Sequence, residues 1–163
     1  MKPLSSLTIR RATLSDAPAI FGLIREHPEE LVPRSLGDIA ENIDRFFVAE
    51  SPEGLLGCAS WKIYPEIGAP EKASVEVQSV AVKTDFRRQG IGAALIQKII
   101  GAIRDFGATQ AIVLTFAPAF FTTLGFHEIS KTQVMYKLYT GCMGCTKHAD
   151  PFTCPEIAMA LKL

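Results

Sequence analysis

Ser79-Val80-Ala81-Val82-Lys83-Thr84-Asp85-Phe86-Arg87-Arg88-Gln89-Gly90-Ile91-Gly92-Ala93-Ala94-Leu95-Ile96 is the stretch on which the reading of this chain turns. Val80, Ala81 and Val82 read as the end of a buried strand. Lys83 to Gln89 is polar and must leave the sheet. From Gly90 onward, Ile91, Leu95, Ile96, Ile99, Ile100 and Ile103 recur at helical spacing. A strand therefore feeds a basic turn, and the turn feeds a helix N-terminus. The first N–H groups of a helix have no partner within it, and the helix dipole places partial positive charge there. Gly90 and Gly92 remove side chains where a ligand would approach the backbone. Arg87 and Arg88 add positive charge. The pattern predicts a pyrophosphate cradle. It is neither a dinucleotide fingerprint, which needs three glycines at a different spacing, nor a P-loop, which needs Gly-Lys-Ser/Thr.

The rest of the chain is an ordinary globular sequence. Its 163 residues suit one domain, residues 1–163, large enough for a real core. Lys plus Arg and Asp plus Glu are 17 each, so the formal charge is zero and nothing favours nucleic acid or an anionic membrane. Met-Lys-Pro-Leu-Ser-Ser at the N-terminus lacks a leader's apolar run, and no segment has the length to span a bilayer. A cytoplasmic protein is the expectation.

Around the central stretch the pattern alternates strand and helix. Leu7 to Arg10 reads as a strand, and Ser15 as the cap of a helix running to about Glu26. Pro28 and Pro33 bound a loop. Ser35-x-x-Asp38 resembles a capping box, and Leu36, Ile39, Ala40, Ile43 and Phe47 outline a second helix. Phe46 to Glu50 and Leu55 to Tyr64 flank the turn Ser-Pro-Glu-Gly and predict an antiparallel hairpin. Lys72 to Val82, Ala111 to Phe116, Phe126 to Ile129 and Ile157 to Leu163 read as strands, and Phe120 to Leu124 as a short helix stopped by Gly125. The order β-α-α-β-β-β-α-β-α-β-β predicts an α/β (α+β) fold, a mixed sheet with helices on both faces. A cysteine-containing segment, about 140–163, closes the chain.

Arg87-x-x-Gly90-x-Gly92, set between a Val-Ala-Val strand end and an amphipathic helix, resembles the coenzyme A loop of the GNAT superfamily of N-acetyltransferases, and the element order is theirs too. Further stretches resemble the short, single-domain bacterial N-acetylglutamate synthases. They are Leu31-Val32-Pro33-Arg34-Ser35-Leu36, Phe46-Phe47-Val48-Ala49-Glu50, Leu114-Thr115-Phe116-Ala117-Pro118-Ala119-Phe120-Phe121 with Leu124-Gly125-Phe126, and the tail Lys137-Leu138-Tyr139, Cys142-x-x-Cys145 and Cys154-Pro155-Glu156-Ile157-Ala158-Met159. The resemblance implies acetyl-CoA as co-substrate, held by Val80, Ala81, Val82, Arg87, Arg88, Gln89, Gly90, Ile91, Gly92, Ala93, Phe120 and Phe121. It implies pantetheine on the backbone of Val80 and Val82, between the strands ending near Val82 and Phe116, and glutamate as the amine acceptor. A homodimer is a further possibility.

An amine that attacks a thioester must first lose a proton, and a carboxylate can take it. Glu76 lies six residues before Val82, where the histone-acetylating branch carries its general base. Strand alternation puts Glu76, Gln78, Val80 and Val82 on one face unless a bulge intervenes. Glu76 reads equally as a solvated strand carboxylate. The tyrosine that many superfamily members use as proton donor is replaced by Phe121, which cannot donate; Tyr136, Tyr139 or water are the alternatives. A dicarboxylate acceptor needs fixed cations. Arg34 is the first candidate and Lys137 the second, with Gln78 and Ser79 beside them. The synthase pattern has Glu-x-Arg-Ser where this chain has Glu76-Val77-Gln78-Ser79. That departure favours another small amine, and a coenzyme-binding module without catalysis is the remaining alternative.

Cys58 is alone on a strand and reads as packing. Cys142, Cys145, His148 and Cys154 have spacing C-x2-C-x2-H-x5-C, which suits either tetrahedral zinc or a reduced, packed cluster.

Overall fold

The structure, a computed structural model, describes residues 6–66 and 69–163, with the side chains of residues 66 and 69–72 excepted. Residues 1–5, part of the stretch read as lacking a leader, lie outside the described residues.

The strands are β1 (Thr8–Arg11), β2 (Phe46–Ser51), β3 (Gly54–Glu66), β4 (Ala69–Val82), β5 (Gln110–Thr115), β6 (His127–Glu128) and β7 (Ile157–Lys162). They form one sheet in the order β1-β2-β3-β4-β5-β7-β6. The helices are α1 (Ala17–Arg25), α2 (Leu36–Glu41), α3 (Ile91–Asp105) and α4 (Pro118–Thr123). The expected mixed α/β architecture is what the chain adopts. Among the described residues no helix is long and apolar enough to cross a membrane.

The chain divides into two compact units, and β3, β4 and α3 contribute to both. The first unit holds residues 1–61 and 77–101. Here β1 pairs antiparallel with β2, and β2 with β3 through the turn that ends at Gly54, whose φ of 100° suits glycine. Its core is Ile20, Leu23, Ile24, Ile39, Phe46, Val48, Cys58 and Ala81. Cys58 is fully buried, and burial pushes its thiol up to about 12, so it is a packing residue. Gly57 is needed for close approach: a Cβ there would lie 3.1 Å from the Ala81 carbonyl and from the side chains of Ile91 and Leu95.

Two local expectations change. The approach to α1 is capped by Thr13 and Asp16 instead of Ser15, because the Asp16 carboxylate accepts the Thr13 N–H at 2.7 Å and is forked by Arg10 at 2.8 and 2.9 Å. The second helix ends at Glu41, and a tight turn, Ile43–Arg45, leads into β2. Phe47 is therefore a strand residue, buried under the Arg11 guanidinium. Ser35 does cap α2, accepting the Asp38 N–H at 3.0 Å.

The second unit holds residues 62–76 and 102–163. In it β4 pairs parallel with β5, Val75 opposite Ala111 and Glu76 opposite Ile112, while β7 runs antiparallel to both β5 and β6. Its core is Ile112, Val134, Leu138, Ala158 and Ala160, with Cys142 packed against it. Residues 131–142, expected only as loop, form consecutive helical turns that end in a π-helical turn, Leu138–Cys142. The repeating apolar residues Val134, Met135 and Leu138 cover the second core, and that burial drives the local helix.

Candidate active site

The turn between β4 and α3 is built as a nest of backbone donors. Phe86 is buried and anchors it, and the Lys83 N–H bonds the Leu56 carbonyl at 2.8 Å. Arg88 and Gly90 both adopt left-handed backbone, with φ of 60° and 83°. Alternating left-handed residues turn successive N–H groups toward one concavity, which suits an anion. The first amide given a helical partner is that of Ala94, on the Gly90 carbonyl at 2.9 Å, which leaves the opening amides of α3 for a ligand. A Cβ on Gly90 would stand in open space, so glycine is required there by its φ and not by a protein neighbour. These residues fit the phosphates of a coenzyme A molecule: open space, converging donors and the positive end of a fifteen-residue helix. Arg88 is exposed beside this concavity, whereas the Arg87 side chain turns away to Glu30 at 2.8 and 2.9 Å.

Strand β4 does not alternate cleanly. Ser79 has φ of 52°, an uncommon conformation for a residue with a Cβ. In a regular strand Gln78 and Ser79 would point to opposite faces. Here both meet one nitrogen: Arg34 Nη1 donates to Gln78 Oε1 and to Ser79 Oγ, each at 3.1 Å. The strand's regular alternation, expected to put Glu76, Gln78, Val80 and Val82 on one face unless a bulge intervened, is interrupted at Ser79. Val80 and Val82 are half-buried and Ala81 is buried. Arg34 is further held by Asp38, which accepts from Nε at 2.5 Å, and it lies 5.6 Å from the Phe46 ring centroid. Its side chain is only 14% exposed, so the guanidinium is held in a fixed position against β4. Asp38 was legible as a cap partner but not as the anion for Arg34, although the two are four residues apart.

In the second unit Glu76 is buried and ion-paired: Lys137 Nζ lies 3.0 Å from Glu76 Oε2, with side-chain exposures of 10% and 5%. Lys137, expected to meet substrate, is committed to this pair. Tyr64, which the sequence alone did not single out, joins them; its hydroxyl hydrogen-bonds Glu76 and lies 3.5 Å from Lys137 Nζ. Burial, and then the Glu76 charge, push the Tyr64 hydroxyl up to about 12. Burial, the largest single influence, would lower the Lys137 ammonium, but Glu76, Tyr64 and Cys142 together outweigh that and raise it. Glu156 approaches the same group and is raised by burial and by the Glu76 charge. Tyr136 stacks edge-on with Tyr64 at 6.4 Å, whereas Tyr139 is exposed.

Phe121 is buried between Phe120 and Phe126, with ring centroids 5.2 and 5.4 Å away, and Phe120 is half-buried. The cysteines are free thiols. Among the described residues no group of three or more His, Cys, Asp or Glu side chains is arranged to hold a metal ion. His148 faces the Phe116 ring at 6.3 Å, and Cys154 Sγ donates to Glu156 at 3.8 Å.

Comparison with known proteins agrees with this geometry. The family model of the acetyltransferase (GNAT) domain matches residues 42–128, more than half of the chain. An uncharacterized N-acetyltransferase of Chlorobaculum tepidum is 32% identical over 99% of this chain and 99% of its own length. An amino-acid acetyltransferase of Mycobacterium tuberculosis is 31% identical over 80% of this chain and 74% of its own length. Among solved structures, a Mycobacterium tuberculosis protein in complex with CoA and NLQ superposes with TM-score 0.78 at 25% identity, covering 96% of this chain and 99% of that one. N-acetylglutamate synthase from Neisseria gonorrhoeae, complexed with coenzyme A and N-acetyl-glutamate, shares the fold with TM-score 0.78 at 24% identity, over 99% of this chain and 36% of that one. A helix-opening nest of backbone donors, the strand that leads into it, the family match and the relatives converge on one conclusion: the chain belongs to the GNAT superfamily and is an acetyl-CoA-dependent N-acetyltransferase.

Proposed function

We propose that the acceptor is the α-amine of L-glutamate, so that the enzyme makes N-acetylglutamate, the opening step of arginine biosynthesis, in the cytoplasm. The observation that carries this reading is Arg34. A guanidinium pinned by Asp38, Gln78 and Ser79 is pre-organised to take a carboxylate with little loss of side-chain freedom. The amino-acid acetyltransferase relative supports an α-amino acid as acceptor. In this reading the coenzyme phosphates rest on the amides from Arg88 to Ala93, and pantetheine on the backbone of Val80 and Val82. Glu76 accepts the amine proton, directly or through water, and Lys137 and Tyr64 hold its carboxylate in place.

A second reading rests on Gln78 and Asp38. Gln78 brings no charge, and Asp38 already neutralises Arg34, which suits an acceptor with a single carboxylate. Acetyl-CoA turnover with a panel of amines separates the two. Glutamate should be the best acceptor, and Arg34→Ala should lower kcat/KM for it by roughly ten- to a hundredfold, the worth of one charge-assisted hydrogen bond of about 1.5–3 kcal/mol. Preference for a neutral amino acid would select the second reading, and turnover of no α-amino acid would defeat both.

A further inference from the structure

Arg87 opens the coenzyme motif, yet its guanidinium is already engaged within the protein. Nε donates to the Val82 carbonyl at 3.3 Å. Nη1 and Nη2 fork onto Glu30 at 2.9 and 2.8 Å, and Nη2 also reaches His27 Nδ1 at 3.0 Å. Four of its five N–H groups are thereby used. Arginine can only donate, so His27 Nδ1 is the acceptor and the proton of the neutral ring sits on Nε2. His27 is 6% exposed, and its Nε2 has no partner among the described residues. A buried donor without a partner costs stability. An apolar ring would serve packing better at this position, so what histidine adds is the acceptor aimed at Arg87.

We infer that His27 and Glu30 are positioning residues for the coenzyme loop: they hold Arg87 as a strut, so that the phosphates are received by the backbone nest and Arg88 while Arg87 keeps the nest in shape. The inference rests on the placement of the coenzyme phosphates on this loop. The strut also ties the loop to the segment that leads to Arg34. The Glu30 and Leu31 N–H groups both bond the His27 carbonyl, at 3.2 and 3.0 Å, which shapes the turn from which residues 32–34 continue. The Glu30–Arg87 pair is half exposed, with side chains 56% and 36% accessible, and an ion pair in that setting contributes little to global stability. Its contribution is local: without it, Arg87 and the left-handed Arg88 after it must be ordered when the coenzyme binds.

The test is a calorimetric titration of coenzyme A into the full chain and its variants. Glu30→Gln and His27→Phe should each weaken binding about three- to tenfold, the penalty for ordering one loop side chain on association. With both substrates saturating, kcat should stay within about twofold, since the loss falls on ground-state binding. The Tm of His27→Phe should be unchanged or higher, which a purely structural histidine would not allow. His27→Gln, which keeps an acceptor, should recover most of the affinity. Wild-type affinity in both Glu30→Gln and His27→Phe would overturn the inference. So would Arg87→Gln weakening coenzyme A while Glu30→Gln does not, because Arg87 would then act on the phosphates directly. The titration contains no acceptor, so its outcome is independent of the glutamate reading. Failure of the wild type to bind coenzyme A would remove the loop's assignment, and this inference with it.

Discussion

Lys137 and Arg34 each meet a carboxylate, but in different surroundings. Lys137 and Glu76 are 10% and 5% exposed; Arg34 and Asp38 are 14% and 43% exposed. In the first pair neither charge can be solvated if the other is removed. In the second, water reaches the carboxylate. A buried pair is therefore a fixed part of the fold, while in the half-open pair the carboxylate keeps its water and the pair is the less costly to break. Both lysine and arginine were expected to meet substrate; the lysine is held by Glu76, and the arginine by Asp38, Gln78 and Ser79.

The largest effect that would sharpen this contrast is at the buried pair. Lys137→Met leaves Glu76 uncompensated and should destabilise the fold by about 3–5 kcal/mol, read from the urea midpoint. Adding Glu76→Gln should restore much of the loss, because a neutral amide no longer needs a counter-charge. A single variant as stable as the wild type would show the pair to be solvated, and the contrast would fail.

Gly141 comes next. A Cβ there would lie 2.8 Å from Lys137 Nζ and 2.9 Å from Tyr64 Oη. Lys137 is pinned by Glu76 and the tyrosine ring is rigid, so neither yields cheaply. Gly141→Ala should cost about 1–3 kcal/mol by overpacking, measured in the same way.

A smaller effect is the alkaline limb. Tyr64 titrates at about 12 in the folded chain against an ordinary value of 10.0. Between these values the unfolded chain has released the proton and the folded chain retains it, so stability falls as pH rises through that window and the contribution is complete below it. The raised Lys137 adds a loss on the same alkaline side. Tyr64→Phe should flatten the tyrosine part of the decline in chemical-denaturation midpoints taken from about pH 9 to about pH 12.

The smallest effect lies on the open side. A Cβ on Gly37 of α2 meets only Ser35 Oγ, at 3.8 Å. Gly37→Ala should stabilise by about 0.4–1 kcal/mol, visible as a raised Tm, by reducing the freedom of the unfolded chain. Equal responses at Gly37 and Gly141 would erase the distinction between the two regions.

Much of this was legible along the chain. The β4–α3 turn could be read because its chemistry is local: strand end, glycines and helix start are contiguous, and the left-handed Gly90 occupies the position where the motif places glycine. The Ser35 cap and the β2–β3 hairpin are local in the same sense. The turns at residues 131–142 were missed because their apolar residues mean little until β5 and β7 offer a surface to cover. The common face of Glu76, Gln78, Val80 and Val82 was expected only if no irregularity intervened, and nothing in Val77-Gln78-Ser79-Val80 announces the left-handed residue that interrupts it at Ser79. Tyr64 looked like any strand tyrosine.

The sequence by itself determined the element order, the glycine-bearing turn before α3 and the supply of charged residues, since each depends on neighbours a few positions apart. Only the tertiary structure decided how those charges are paired. Arg87 meets Glu30 across 57 positions, Arg34 meets Gln78 across 44, and Lys137 meets Tyr64 across 73. Charges are matched by burial and distance after the chain has folded, and neither can be read from spacing. That pairing is what separates a guanidinium whose carboxylate partner reaches water from an ammonium enclosed together with its own.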